Sequence, residues 1–445
     1  MSTDMSPRLE LENIQNGAIR PRPYPYVGVY VLLRIDDRRA GREVLRRLLP
    51  ALSTSTDPTD PSKQAWICAG FTFQGLKAVG VPEDSLESFP LAFREGMAAR
   101  AKSLGDVAES APERWEPPLG SPDVHMAISV LSPDSERLDT LLARARAAYH
   151  ELAGIEVVFR QDVYMRPDAR EPFGFRDDIS QPAIEGLGIP GTNRREEPFK
   201  AGEFVLGYPN ELGEVTRVPQ PEILGRNGTY IAFSKLHQRV AAFRQYVRAN
   251  ASTAADEALI AAKIVGRWPS GAPLVLTPQN DDPELGHDSQ RSNDFLYEAE
   301  DPRGLRCPLG AHARRMNPRD ASIIGVSRLH RIIRRSTTYG PELPEGVMED
   351  DGADRGIIFI AVGASLERQF EFLKTEWINQ GTFFGSPDEK DPLVGPNDGS
   401  GTFTVPQQPV RRRLKSLPAF VINRGGEYCF IPSLSAIRWL AALDA

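Results

Sequence analysis

Three stretches of this 445-residue chain carry side chains whose chemistries complement one another. The run Cys307-Pro308-Leu309-Gly310-Ala311-His312-Ala313-Arg314-Arg315-Met316-Asn317-Pro318-Arg319 sets a histidine in a basic, turn-rich segment. A neutral imidazole there can ligate a transition metal. Gly310 and Ala311 leave room for a flat group, and Arg314, Arg315 and Arg319 are cations suited to its carboxylates. Upstream, Gly174-Phe175-Arg176-Asp177-Asp178-Ile179-Ser180-Gln181-Pro182 presents an acid in a turn. A carboxylate so placed can take a proton and hand it back. Downstream, Ile332-Ile333-Arg334-Arg335 offers a guanidinium, a fixed charge that can stabilise a developing anion. Each signal taken singly has an ordinary meaning: a packed histidine, an aspartate bonding its own turn, a surface arginine at a strand end. The remaining histidines, His125, His150, His237, His287 and His330, have no comparable setting.

The elements that must position these residues are legible in outline. Tyr26 to Ile35 is an apolar run rich in Val and Tyr, a buried-strand pattern. Arg42 to Leu49 reads as an amphipathic helix stopped by Pro50, Trp66 to Thr72 as a strand, and Phe93 to Leu104 as a helix. Val124 to Leu131 is a strand, Ser135 to Ala153 a helix and Ile155 to Met165 a strand. This order suits a split βαβ sheet with helices on one face. Gly186 to Ala201, rich in Gly, Pro and charge, reads as a linker. The second half repeats the scheme more loosely. Tyr230 to Ser234 is a strand, Lys235 to Ala249 a helix, Gly356 to Val362 a strand, Leu366 to Ile378 a helix, and Ala419 to Ile431 a hairpin broken at Gly425-Gly426. Between them Pro269 to Leu343 is a long excursion dense in Pro, Gly, Asn and Asp, and a loop of that length is commonly functional.

Composition narrows the class. The length favours two domains. Hydrophobic residues at 40% and charged residues at 25% are ordinary for a globular protein. A net charge of −7 argues against nucleic acid as a partner. Three scattered cysteines, Cys68, Cys307 and Cys429, make neither a disulfide framework nor a C-x-x-C-H haem attachment. No apolar stretch reaches the roughly 18 residues that span a bilayer, so no membrane partner is expected. The first residues show no basic patch leading into an apolar run and no twin arginine. The expectation is a cytoplasmic protein, with secretion by a leader outside this sequence left open.

Taken together the three stretches resemble the dye-decolorizing peroxidase family, in its longer-chain branch. The likeness extends through Tyr339-Gly340-Pro341, Gly202-Glu203-Phe204-Val205-Leu206-Gly207-Tyr208, Val265-Gly266-Arg267-Trp268-Pro269 and Arg368-Gln369-Phe370-Glu371-Phe372, nearly the whole chain. The resemblance implies an α+β fold of two ferredoxin-like domains, each an antiparallel sheet packed by helices. They would span 1–190, with the Asp177 loop, and 191–445, with most of the contacts to one non-covalent haem b. It implies a peroxidase that reduces hydrogen peroxide through a ferryl-oxo intermediate and oxidises dyes, phenols or other aromatic donors; an oligomer is possible. By the same resemblance His312 is the proximal iron ligand, Asp177 the distal acid–base, Arg334 the distal cation, and Arg315 a haem contact. Phe359 with Ile357 ceils the distal pocket. Glu371 is the candidate carboxylate behind the imidazole, and Trp377 and Tyr339 are candidates for surface electron transfer. The alternative is a haem-binding carrier or sensor with this fold and low turnover; a third reading, a haem-processing enzyme, would show loss of iron. One departure stands out: the family's Gly-x-x-Asp-Gly ends here in Asp178. Aspartate tolerates the left-handed backbone that glycine permits, so the turn is expected to survive.

Overall fold

The computed structural model describes residues 8–56, 64–321, 326–382, 385 and 388–443. Its first half runs β1 (Val27–Ile35), α1 (Arg38–Leu48), β2 (Trp66–Phe71), β3 (Met126–Ser132), α2 (Ser135–Tyr149) and β4 (Ile155–Tyr164). In β1, Val29, Val31, Leu33 and Ile35 enter one core while Tyr30 and Leu32 enter another. Burial on both faces is why the segment reads as a continuous apolar run. The α1 helix starts at Asp37, whose side chain accepts from Ala40 N at 2.7 Å. It buries Val44, Leu45 and Leu48 against the sheet, each contributing on the order of 1.5–3 kcal/mol.

The second half contributes β5 (Thr229–Gln238), α3 (Val240–Ala249), α4 (Ala254–Val265), α5 (His312–Met316), β6 (Ile333–Arg334), β7 (Thr337–Tyr339), β8 (Gly356–Gly363), β9 (Gly401–Val405), β10 (Arg412–Leu417), β11 (Val421–Ile431) and α6 (Leu434–Ala441). Two π-helical segments, Leu366–Glu371 and Leu373–Ile378, follow β8. All strands except the β9–β10 hairpin form one antiparallel sheet, β4-β1-β3-β2-β11-β5-β8-β6, with β7 also on β8. The first half therefore has the order fourth-first-third-second, and the second half repeats it with the broken strand β6/β7 in second place. The halves meet where β2 touches β11 at one register pair, Phe71 with Phe430. At the far edges Tyr164 Oη of β4 donates to Gly340 O at 2.7 Å, and Thr338 N of β7 donates to Tyr26 Oη at 2.8 Å. The sheet thus curls round an apolar interior holding Tyr30, Trp66, Phe233, Ile358 and Ile360.

Four sequence expectations need correction. The helix expected from Lys235 starts at Val240, because β5 is paired on both edges by β11 and β8 through His237 or beyond. The helix expected over Phe93 to Leu104 breaks at Gly96, whose φ is +79°. The expected hairpin over 419–431 is one long strand with a bulge between Asn423 and Gly426. A side chain on Gly425 would stand 2.5 Å from Leu119, so glycine there permits close approach, not chain reversal. The expected linker 186–201 is packed: Leu187 and Phe199 are buried, and Ile184 bridges Phe199.

Candidate active site

Period-two alternation in the strands of the second half divides two jobs. Ile231, Phe233, Ile333, Ile358 and Ile360 point into the curled interior. Ser234, Leu236, Gln238, Arg334, Ile357 and Phe359 point the other way and wall a cavity of about 690 Å³. The π-helical segments, α5 and the Asp177 loop complete it. A cavity of this size suits a large organic cofactor or ligand. It brings together Asp177, Arg334, His312, Phe359 and Ile357 from four separate segments of the chain.

The Asp177 loop is built around a buried acid. Glu171 accepts from Phe175 N at 3.0 Å, Phe173 N at 3.1 Å and Gln238 Nε2 at 2.7 Å. Its carboxyl therefore pins the turn that carries Asp177 onto β5. Burial, opposed by these bonds and reinforced by Asp177, pushes the Glu171 acid up to about 7. Burial likewise pushes Glu427 up to about 8. The folded state thus binds more protons than the unfolded chain above the usual 4.5 of a glutamate. Stability contributed by the protonated forms is present below that value and is lost as pH rises through 7 and 8. Thermal melts across this range should show the fall, and Glu171→Gln should flatten the part that ends near 7. An unchanged slope would mean that Glu171 ionises freely in the fold.

Beyond Glu171, Asp177 Oδ1 lies 3.9 Å from Arg334 Nη1. Arg334 is held by Nη2 donating to Ser180 O at 3.3 Å, and its main chain is clamped by Gln181, whose Nε2 donates to Arg334 O at 3.0 Å. The same Nε2 donates to Asp178 Oδ1 at 2.6 Å. Asp178 has φ +60°, so the turn keeps its left-handed backbone without glycine.

On another wall His312 opens the short helix α5. Its Nδ1 lies 2.9 Å from Oδ2 of the fully buried Asp391. Asp391 Oδ1 accepts from Leu393 N and Val394 N, both at 2.9 Å. Burial alone would raise the Asp391 acid, but His312 and Arg315 outweigh it and hold the carboxyl below its usual range. A carboxylate behind an imidazole fixes its tautomer and raises the basicity of the other nitrogen, Nε2. Asp391→Asn should weaken a metal bond made by His312 about 10–100-fold while leaving the fold intact; titration of the variant with haem, the cofactor the sequence resemblance implies, checks this, and wild-type affinity would refute it.

Glu371 is not that carboxylate. It accepts from Arg100 and, at 2.8 Å, from Tyr428 Oη, tying the first π-helical segment to β11. Arg315 does not line the cavity either: it is buried with Nη1 donating to Trp377 O at 2.7 Å. Arg314 turns to Cys307 O and Asp301, so of the three expected cations only Arg319 borders the space. Gly310 and Ala311 pack away from it, Gly310 near the Phe403 ring. Trp377 and Tyr339 are each only 2% exposed, which removes them as surface relays. Trp377 sits edge-on to Phe372 and His330, and Tyr339 Oη donates to Asp354 at 3.2 Å beneath Lys235. Asp391, Glu171, Arg331 and Arg267 escaped the sequence reading. Arg267 alone had a signal, standing in the Val265 to Pro269 motif quoted above.

The chain is similar to known proteins along most of its length. The model of the DyP dimeric alpha+beta barrel domain matches residues 26–167. A dye-decolorizing peroxidase of Mycena epipterygia is 33% identical over 438 residues, covering 89% of this chain and 80% of the relative. Another, from Auricularia auricula-judae, is 31% identical over 88% of this chain and 79% of its own. A solved DyP-type peroxidase from Auricularia auricula-judae superimposes with a TM-score of 0.85 at 28% identity, over 98% of this chain and 100% of that one. A solved complex of a dye-decolorizing peroxidase with 2,6-dimethoxyphenol is similar at 28% identity and a TM-score of 0.83, over 98% and 100%. With a relative above 30% identity along most of its length and the same fold throughout, the chain belongs to the dye-decolorizing peroxidase family, whose members are haem enzymes.

Proposed function

We propose that this peroxidase holds one non-covalent haem b per chain in the 690 Å³ cavity, mainly through its second half, residues 191–445. The observation that carries the reading is the His312–Asp391 pair on one wall with Asp177 and Arg334 on the others. The donor set fits the group: with Nδ1 engaged by Asp391, His312 has Nε2 left for iron. Burial pulls Arg267, Arg319 and Arg331 below the usual arginine range, with Arg267 also repelled by Arg319. Cations under such strain favour an anionic group, and haem propionates are one. Leu373, Ile332, Val265, Leu393, Ile357 and Phe359 supply apolar contact for a flat ring.

Haem, when bound, supplies the redox chemistry that cleaves the O–O bond of peroxide. The residues supply the proton handling. The Asp177 carboxylate takes the proton from one peroxide oxygen and returns it to the other, which leaves as water. Arg334 holds a fixed positive charge where negative charge develops. Phe359 and Ile357 keep bulk water and large donors away from the distal side. Aromatic donors of the 2,6-dimethoxyphenol type then return the enzyme to rest, one electron at a time. Steady-state oxidation of that phenol, and of an anthraquinone dye, tests the reading in the haem-loaded protein. Peroxide-dependent turnover of neither would overturn it.

A further inference from the structure

We propose that Arg22 is a positioning residue for peroxide activation: it is the countercharge that lets Asp177 and Asp178 stand side by side as carboxylates, giving this chain a two-acid distal site. The inference rests on Asp177 being the distal proton carrier.

Arg22 lies in Arg20-Pro21-Arg22-Pro23, ahead of β1 and far in sequence from the loop it reaches. It is 4% exposed, with its guanidinium 4.3 Å from the centre of the Tyr26 ring. Nη2 stands 3.7 Å from Asp177 Oδ2 and 3.6 Å from Asp178 Oδ2. Nη1 is buried with no hydrogen-bond partner among the described residues. So a buried cation is aimed between two adjacent carboxylates. Burial opposes its charge, and Asp178 leads the groups that sustain it, ahead of Tyr26 and Asp177. Arg334 serves Asp177 alone, at 3.9 Å. Without Arg22, the second acid would keep the hydrogen bond from the amide of Gln181 but lose its ion pair.

The other charged or titratable neighbours do not replace it. Arg335 feels Asp178 favourably and Arg22 unfavourably, but its own nitrogens donate to the carbonyls of Arg334 and Ile19. Tyr26 and Tyr30 are buried phenols, raised in acidity range by that burial. Glu171 is close enough to Asp177 to feel its charge and adds negative charge when ionised. Like charges that lose their countercation take up a proton more readily, and a protonated Asp177 cannot accept one from peroxide. The chain that joins Asp178 to Gln181 and Gln181 to the main chain of Arg334 lets the same pairing keep Arg334 in place.

The test is the pH profile of the reaction between holoenzyme and peroxide, followed by stopped-flow absorbance. In Arg22→Gln the acid limb should move to higher pH by about one unit or more. Arg22→Gln/Asp178→Gly should bring it back, because one carboxylate is left for Arg334. Arg22→Lys, which keeps the charge, should keep the native limb. Asp178→Gly alone should move the limb to lower pH, since Arg22 then serves a single acid; this variant carries the test if Arg22→Gln does not fold. Melting of the holoenzyme gives a readout independent of turnover: the Tm deficit of Arg22→Gln should grow from acid to neutral pH and vanish in the double variant. Native limbs in both Arg22→Gln and Asp178→Gly, or a shifted limb that the double variant fails to restore, overturn the proposal. Asp177→Asn separates the two levels. If it reacts with peroxide at the native rate, the distal-acid reading itself fails; if it is slow while the other variants keep native profiles, only the role of Arg22 fails.

Discussion

His312→Ala should purify with little or no haem. The substitution removes the imidazole proposed to hold iron and would leave only apolar contact and cation–propionate attraction to hold the ring. The five other histidines cannot take over. His125, His237, His287 and His330 do not border the cavity, unlike His312. His150 lies at the end of α2 beside Glu151, away from the cavity. The loss should be deeper than in Asp391→Asn, which keeps the ligand and disturbs only its orientation. Haem content per chain and the Soret band of the two variants check the order. Full haem with an unchanged Soret band in His312→Ala would mean that the iron is held from elsewhere.

The second large effect lies on the distal side. Arg334→Leu removes a fixed charge from the place where, in the proposed reaction, negative charge develops on the leaving oxygen, and losing one such preorganised donor costs on the order of 10²–10³ in rate. Asp177→Asn removes the proposed proton relay, a role typically worth about 10²–10⁴. Both variants should keep haem, because neither residue is positioned as an iron ligand. Asp178 borders the same cavity one residue away and can receive a proton through water. Arg334→Leu should therefore slow the peroxide reaction more than Asp177→Asn, and Asp177→Asn/Asp178→Asn should be worse than either single change. Rapid mixing of each variant with peroxide gives the rates directly. A silent Asp178→Asn in both backgrounds would leave Asp178 as a turn residue and no more.

The parts of this molecule that were legible in its sequence share a physical property: their signal is local. Strand β1 was legible because both of its faces are buried, so that every position is apolar. The Asp177 turn and the His312 segment were legible because tight turns and short helices constrain neighbouring residue types. What failed was long-range. Strand β5 ends in Ser234-Lys235-Leu236-His237-Gln238, whose polar residues suggested a helix start until pairing on both edges decided otherwise. Asp391 follows His312 by 79 positions in a loop, and nothing near it signals an imidazole partner. Glu371 had the right chemistry and a nearer motif, yet Arg100 and Tyr428 claim it from the opposite side. Trp377 and Tyr339 had the right ring chemistry, but exposure is a property of the assembled layers and is invisible in a lone aromatic residue. Arg22 sits in a proline-flanked segment with the composition of a loop, and only the fold carries it to the Asp177 turn.

The most direct test of the whole account is the absorption spectrum of the haem-loaded protein before and after one equivalent of hydrogen peroxide, with 2,6-dimethoxyphenol added last. The holoenzyme should show a ferric Soret band, a prompt spectral change on peroxide, and return to the starting spectrum after two electrons from the phenol. A haem spectrum that peroxide leaves unchanged would describe a carrier or sensor and would contradict it, as would steady loss of iron or porphyrin in place of a return.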